Sequence, residues 1–423
     1  MSNTQSQVDL IREVFHYKNR FEGSTMVFKI DSPVTEDPGF PGLVKDLALL
    51  AKTGFKVIIV PGAKETIDAV MRQHNINAAV ADAPFGIPVR VTTAQTIQYV
   101  EMAAFNAASR FMTFLSGSRV EALIGNFVRA RGLGIIGGVD TEHTGTVDKI
   151  YADSLQRVLN LGMVPILPCI GWSPSGKPYN VSSDEIALAV SKALNASKLF
   201  IITVQDRLNI PTLTKQETEE LINSGLECNL RELKLALQAS RVGINRVHII
   251  DGREEGAVLK ELFSNFGVGT MIYTDEYDSV RELHSRDLPD ILRLMEPLMQ
   301  NGILIRRSNE EILNKKDDYS VLEIDGSIRA CGALHDWGEN QSEIAAVATD
   351  PMYASLGLGR QIVGFLIEKA KKQKIDRVFV LTTKTQDWFE SLGFKEVSVE
   401  SLPERKRSLY DQARKSKVFA LEV

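Results

Sequence analysis

Residues Tyr353 to Ala370 read YASLGLGRQIVGFLIEKA, with two glycines, Gly357 and Gly359, two apart before a strongly apolar run. Upstream lies the β-rich stretch SEIAAVATD, and downstream, after the helical run, comes VFVLT. A glycine turn between strand and helix aims backbone N–H groups outward at a helix N-terminus, where they suit an anion. The spacing alone serves a plain strand-to-helix joint equally well, so the neighbouring sequence has to decide.

Working outward, the region from Val280 reads as a strand (VRELHSR), the helix DLPDILRLMEPLMQNG, three consecutive strands (YSVLEID, SIRACGALHDW, SEIAAVATD), the glycine turn and a helix. VFVLT, a further helix and a last strand KVFALEV complete it. Before it, from Met26 to about Thr274, short β-rich runs alternate with helical ones: MVFKID, FPGLVKDLALLAKTG, KVIIVPG, KETIDAVMRQH, and later VPILPCI, SDEIALAVSKALNA, KLFIITV and RVHIID. This is the α/β rhythm of a mostly parallel sheet. The acidic stretch between them sets the expected boundaries: an N-terminal helical segment 1–25, an α/β domain 26–274, a linker 275–279 and a second domain 280–423.

Length and charge narrow the function classes. A chain of 423 residues exceeds one typical domain. Its 49 basic and 54 acidic residues contain no basic block suited to nucleic acid or a membrane surface. A small neutral or anionic ligand is expected instead. Cys169, Cys228 and Cys331 lack the paired spacing of a disulfide framework or zinc site, the histidines are scattered, and no metal is expected. The polar start MSNTQSQVDL lacks a signal-peptide pattern and no apolar run reaches spanning length, so a cytoplasmic location is expected.

The glycine turn after a strand, followed by a helix, VFVLT and WFESLGF, resembles the GNAT family of N-acetyltransferases, whose turn binds the coenzyme A pyrophosphate. Here Ala354 stands where that motif has Arg or Gln, so only the backbone cradle of Gly357, Leu358, Gly359 and Arg360 is implied. The stretches GILIRRSNEEI, VLTTKTQDWFESLGF and LPERKRSLYDQARKSKVF, with the domain before them, are similar to the bacterial N-acetylglutamate synthase family over nearly the whole chain. That resemblance implies acetyl transfer from acetyl-CoA to the amine of L-glutamate, the first step of arginine biosynthesis.

Such a reaction needs a base for the amine, donors for the oxyanion and a proton for the departing thiol. Glu343 matches the position of the family's general base. Thr382 stands where relatives carry a serine proposed to protonate the thiolate, and is otherwise a β-branched strand end. The resemblance places the oxyanion donors at the backbone of Val347 and Ala348, Phe389 against the coenzyme, and Arg307, Arg407 and Arg414 on glutamate. Guanidinium groups suit a dicarboxylate because they pair bidentately.

Residues 26–274 resemble the amino-acid kinase family, an α/β/α sandwich. Lys29 and Asp184 are retained, but the phosphate loops read Lys29-Ile30-Asp31-Ser32, Pro61-Gly62-Ala63-Lys64 and Val204-Gln205-Asp206-Arg207. Phosphoryl transfer needs close backbone approach and cations. Side chains and a carboxylate at Asp31 oppose both, so little kinase activity is expected.

The segment RVHIIDGREEGAVLKELFSNFGVGTMI and the preceding IREVFHYKNRFEG resemble the two pieces that form the arginine site of arginine-sensitive relatives. This implies an effector site of Tyr17, Glu261, Gly267, Gly269 and Thr270, feedback inhibition, and a ring-shaped homo-oligomer such as a hexamer. The alternatives are a bifunctional synthase and kinase, or a catalytically weak arginine-sensing module.

Overall fold

The computed structural model describes residues 14–15, 17–19, 21–77, 79–82, 88–206, 208–226, 228–263, 267–274, 278–324, 327–351, 353 and 357–423. The chain divides into two compact units, residues 1–275 and 276–423. Asp278 and Ser279, expected in the linker, belong to the strand Asp278–Glu282, while 275–277 lie outside the described residues. Among the described residues no helix is long and apolar enough to cross a membrane.

In the first unit, eight strands form one sheet in the order Thr212–Thr214, Thr270–Tyr273, Arg246–Asp251, Lys198–Thr203, Thr25–Ile30, Lys56–Pro61, Val164–Ile166, Ala122–Ile124. Every neighbouring pair is parallel except Arg246–Asp251 with Thr270–Tyr273. The central strands TMVFKI and KLFIIT are buried at every position, as a sheet covered on both faces requires. Alternate residues therefore feed two cores. Met26, Phe28 and Ile30 pack with the helices Phe40–Lys52, Ile97–Gly117 and Ala257–Phe263. Val27, Leu199 and Ile201 pack with Ala152–Asn160, Ser183–Ala193 and Leu230–Arg241.

Two features of this unit escape the alternating pattern. One is the 21-residue helix Ile97–Gly117, which buries alanines at Ala103, Ala104, Ala107 and Ala108. The other is a four-stranded sheet of Pro178–Asn180, Ile170–Trp172, Val128–Gly132 and Gly145–Ile150. The helix buries mostly small residues and two of the sheet's strands have only three residues, which weakens any periodic signal.

The second unit is a seven-stranded sheet in the order Asp278–Glu282, Tyr319–Ile324, Ser327–Asp336, Gln341–Thr349, Arg377–Thr382, Lys417–Glu422, Lys395–Val397. Its single parallel pair, Gln341–Thr349 with Arg377–Thr382, is in register only from Gln341 to Glu343. Beyond Glu343 the two strands part. Ala346 sits at φ 52°, and Ala346 and Val347 together oppose Gly332, a bulge that bends the strand just past that point. The helix Leu358–Lys372 covers one face with Phe389 and Phe394, and Leu288–Gln300 covers the other.

Candidate functional site

In the second unit, Glu343 ends the short parallel pairing, in register with Phe379 on one side and His335 on the other. Only 6% of it is exposed. Its Oε2 accepts from Lys406 Nζ at 2.6 Å and from Trp337 Nε1 at 3.0 Å. Lys406 and Trp337 were not anticipated from sequence. Cross-strand from Glu343, His335 is buried and Nδ1-bonded to Asp318 at 2.6 Å. Burial holds His335 below the usual imidazole range, against the pull of Asp318 and Glu343. The Arg307 charge acts on the same His335, and on Tyr319 and Cys331, whose hydroxyl and thiol burial pushes up to about 12.

The segment between the last two strands ties this face together. Glu404 N–H donates to Glu339 Oε1 at 3.0 Å, and Lys406 reaches Glu343. Arg414 donates to the carbonyls of Gly302 and Ile303, just before Arg307. Arg307 and Arg414 thus frame one loop. Arg407 follows Lys406, is exposed, and donates to the Glu400 carbonyl at 3.3 Å.

Thr382 closes the parting strand. Its Oγ1 accepts from the N–H groups of Thr385 (3.0 Å) and Lys384 (3.3 Å) and lies 2.7 Å from Thr385 Oγ1. With the acceptor positions filled, the hydroxyl keeps its hydrogen for donation.

The opening glycines divide the labour. Gly357 is the residue before the helix and stands at φ 67°, the left-handed region that disfavours other residues. Leu358 and Gly359 begin a 15-residue helix and their N–H groups have no partner within it, whereas the Arg360 N–H donates to the Gly357 carbonyl at 2.9 Å. Gly359 is needed for packing: a Cβ there would lie 3.0 Å from Trp388 Cζ2. Arg360 is exposed on the first turn. Phe389 packs inside the core, 4.8 Å from Trp388 and 5.5 Å from Phe394 between ring centroids, so it supports the turn from beneath. Ala354 lies outside the described residues.

In the first unit the retained Lys29 is fully buried and ion-paired to both Asp31 and Asp184, the latter at 2.9 Å. Arg231, unforeseen from sequence, clamps Asp184 with two bonds of 2.8 and 2.9 Å and reaches Asp31 at 3.3 Å. Burial works to lower the Lys29 ammonium, but the Asp184 and Asp31 charges outweigh it and hold it above the ordinary value. Asp184, which burial would raise, is held low by Lys29 and Arg231. Two cations and two carboxylates satisfy one another where a phosphate-binding site would need surplus positive charge.

Of the five residues expected around an effector, Tyr17, Glu261, Gly267 and Gly269 fall in one connected cluster, while Thr270 follows Gly269 in the chain with its hydroxyl turned to Ile210. Tyr17 stacks on Phe21 at 6.3 Å, and Lys198 Nζ lies 4.7 Å from the Phe21 ring centroid and 3.4 Å from His248 Nε2. His248 Nδ1 is 2.6 Å from Glu261 Oε1, and Glu261 Oε2 accepts from the N–H groups of Val268 and Gly269 at 2.7 and 2.9 Å. Burial, helped by Lys198, lowers His248 to about 4, so the neutral ring donates from Nδ1 and offers Nε2 to Lys198. Burial pushes the Glu261 carboxyl up, but His248 and the two amides hold it below the usual range. A Cβ on Gly267 would collide with that carboxylate, and one on Gly269 with the Ile249 carbonyl. Thr270 Oγ1 donates to the Ile210 carbonyl at 2.7 Å.

Comparison with known proteins agrees with both halves. The amino acid kinase family model matches residues 24–248 and the acetyltransferase (GNAT) family model matches 277–394. An amino-acid acetyltransferase of Vibrio cholerae is 32% identical over 97% of both chains, and that of Escherichia coli K12 is 32% identical over 98% of both. The N-acetylglutamate synthase of Neisseria gonorrhoeae complexed with coenzyme A and L-arginine is 31% identical, covers 98% of this chain and 99% of its own, and superposes with a TM-score of 0.86. The same enzyme with coenzyme A and N-acetyl-glutamate is 32% identical at the same coverage, with a TM-score of 0.62.

A parted parallel strand pair beside a glycine-capped helix, preceded by a kinase fold whose charged centre is self-neutralised, defines a fused acyltransferase. The chain belongs to the amino-acid acetyltransferase family, the bacterial N-acetylglutamate synthases.

Proposed function

We propose that this chain transfers the acetyl group of acetyl-CoA to the α-amine of L-glutamate, and that L-arginine inhibits it through the kinase-fold unit. The observation that carries the reading is the buried Glu343 at the point where the strands part, opposite His335, to which the charge of Arg307 extends. The helix N-terminus from Gly357 to Arg360 takes the coenzyme's pyrophosphate, which places the thioester along the parting strands.

In the reaction, Glu343 accepts the proton of the substrate ammonium. The freed amine attacks the thioester carbon, a C–N bond forms, and the backbone N–H groups of Val347 and Ala348 hold the oxyanion. The C–S bond then breaks as Thr382 gives its proton to the thiolate, and the second proton that the new amide nitrogen sheds returns to the Thr382 oxygen through water. Arg307, Arg407 and Arg414 take the two carboxylates of glutamate.

Arginine binds at Tyr17, Glu261, Gly267, Gly269 and Thr270, its guanidinium on Glu261 in exchange for the bonds that the carboxylate receives from His248, Val268 and Gly269, which frees the turn for the ligand's carboxylate and amine. The kinase-like centre carries little or no ATP-dependent activity. We place the enzyme in the cytoplasm as a homo-oligomer, with a hexamer the first stoichiometry to test by solution mass.

The test is thiol release from acetyl-CoA with L-glutamate, with and without arginine, using Glu343→Ala as control. Glutamate-dependent release, lowered about 10²–10⁴-fold in the variant, is expected. No glutamate-dependent release overturns the activity, and full activity in millimolar arginine overturns the inhibition.

A further inference from the structure

We infer that Lys406 is a positioning residue for the base: with Trp337 it pins one oxygen of Glu343 and leaves the other to receive the substrate's proton. This rests on the reading of Glu343 as the base. Three separate parts of the second unit build the arrangement. Glu343 lies on the strand Gln341–Thr349, Trp337 in the turn leading into that strand, and Lys406 in the helix Glu404–Arg407.

Lys406 Nζ and Trp337 Nε1 both donate to Oε2, at 2.6 and 3.0 Å, and among the described residues every donor to the Glu343 carboxylate is on that atom. The ammonium also stands 4.6 Å from the centroid of the Trp337 ring, so its position is set twice, by the carboxylate and by the π-face. Lys406 is 8% exposed, and Glu404 fastens its helix to Glu339 at 3.0 Å.

A buried ammonium against a buried carboxylate is a weak source of net stability, because desolvation offsets the attraction. Its effect on a base is definite. An ammonium beside a carboxylate favours the ionised form, and removing the ammonium takes that preference away. Anchoring Oε2 stops the carboxylate from rotating, and Oε1 takes the proton. Arg407, the next residue, is then carried into place by the same helix.

The test compares Lys406→Met, which keeps the stem over Trp337 and removes the charge, with Lys406→Arg, which keeps the charge. Thiol release is followed against pH at saturating and limiting glutamate. In Lys406→Met the acid limb of kcat/KM is expected to move up by about 1–3 pH units with at least a tenfold fall in kcat near neutrality. In Lys406→Arg the limb stays within about half a unit. An unmoved limb in Lys406→Met, or a loss confined to the KM of glutamate, overturns the inference.

A second readout is independent of turnover. The pH titration of tryptophan fluorescence, taken as the difference between wild type and Trp337→Phe, reports the Glu343 carboxylate through Trp337. Its midpoint should rise in Lys406→Met and should vanish in Glu343→Gln. If wild type acetylates no glutamate, the functional reading fails while this titration still decides the pair: an unchanged midpoint refutes it. Should Lys406→Met fail to fold, Lys406→Gln replaces it in both measurements.

Discussion

His248 Nδ1 donates to Glu261 Oε1 across 2.6 Å, deep in the first unit, with both side chains almost wholly buried. The pair makes stability depend on pH in one direction. His248 titrates at about 4 in the fold against 6.5 when free, so between those values the unfolded chain binds more protons and stability falls as pH falls. Glu261, held below 4.5, adds stability above that value which is lost as pH drops through its lowered folded value. Urea unfolding from pH 7 to 4 should show a loss of up to roughly 3 kcal/mol from the histidine. His248→Gln should flatten the part of the curve between pH 6.5 and 4.

Breaking the cluster around Lys29 should cost unequal amounts. Lys29→Met leaves two buried carboxylates facing a single cation and should destabilise by about 3–5 kcal/mol. Arg231 has a side chain 45% exposed to water, so Arg231→Met should cost only about 1 kcal/mol. Denaturant midpoints of the two variants check the order. Equal losses would mean that Lys29 is not the buried centre of the network.

At the glycine turn, Gly359→Ala must displace Trp388, and Gly357→Ala must hold a Cβ at φ 67°. The first is expected to cost about 1–3 kcal/mol by overpacking, the second about 1–2 kcal/mol by backbone strain. Both should raise the KM for acetyl-CoA more than the KM for glutamate. Initial-rate kinetics with each substrate varied in turn measure that split.

Thr382→Val removes the proposed proton donor and leaves the N–H groups of Lys384 and Thr385 without their acceptor. A fall in kcat of about 10²-fold or more is expected, with Thr382→Ser near wild type. Thr385→Val should give a smaller loss, since it removes only the hydroxyl beside Thr382 and leaves both N–H donors to the Thr382 oxygen in place. If Thr382→Val turns over normally, the thiolate draws its proton from elsewhere.

Much of the fold was legible in the sequence. Runs such as TMVFKI and KLFIIT, apolar throughout, announce strands covered on both faces, and each is buried along its length. The glycine turn, Glu343, Thr382, Lys29, Asp184 and Glu261 stood out as candidates, because each lies in a short contiguous stretch that matches a family motif. The helix Ile97–Gly117 and the four-stranded sheet were not, since buried alanines and strands of three to six residues carry little periodicity.

Sequence by itself thus determined the two units and their candidate acids, bases and loops. Tertiary structure alone decided the partners: Lys406 for Glu343, 63 residues apart; His248 for Lys198, 50 apart; Arg231 for Asp31, 200 apart. The reason is physical. Strand and helix follow from the local spacing of apolar residues, whereas which charges meet depends on strand order and on how little water reaches them.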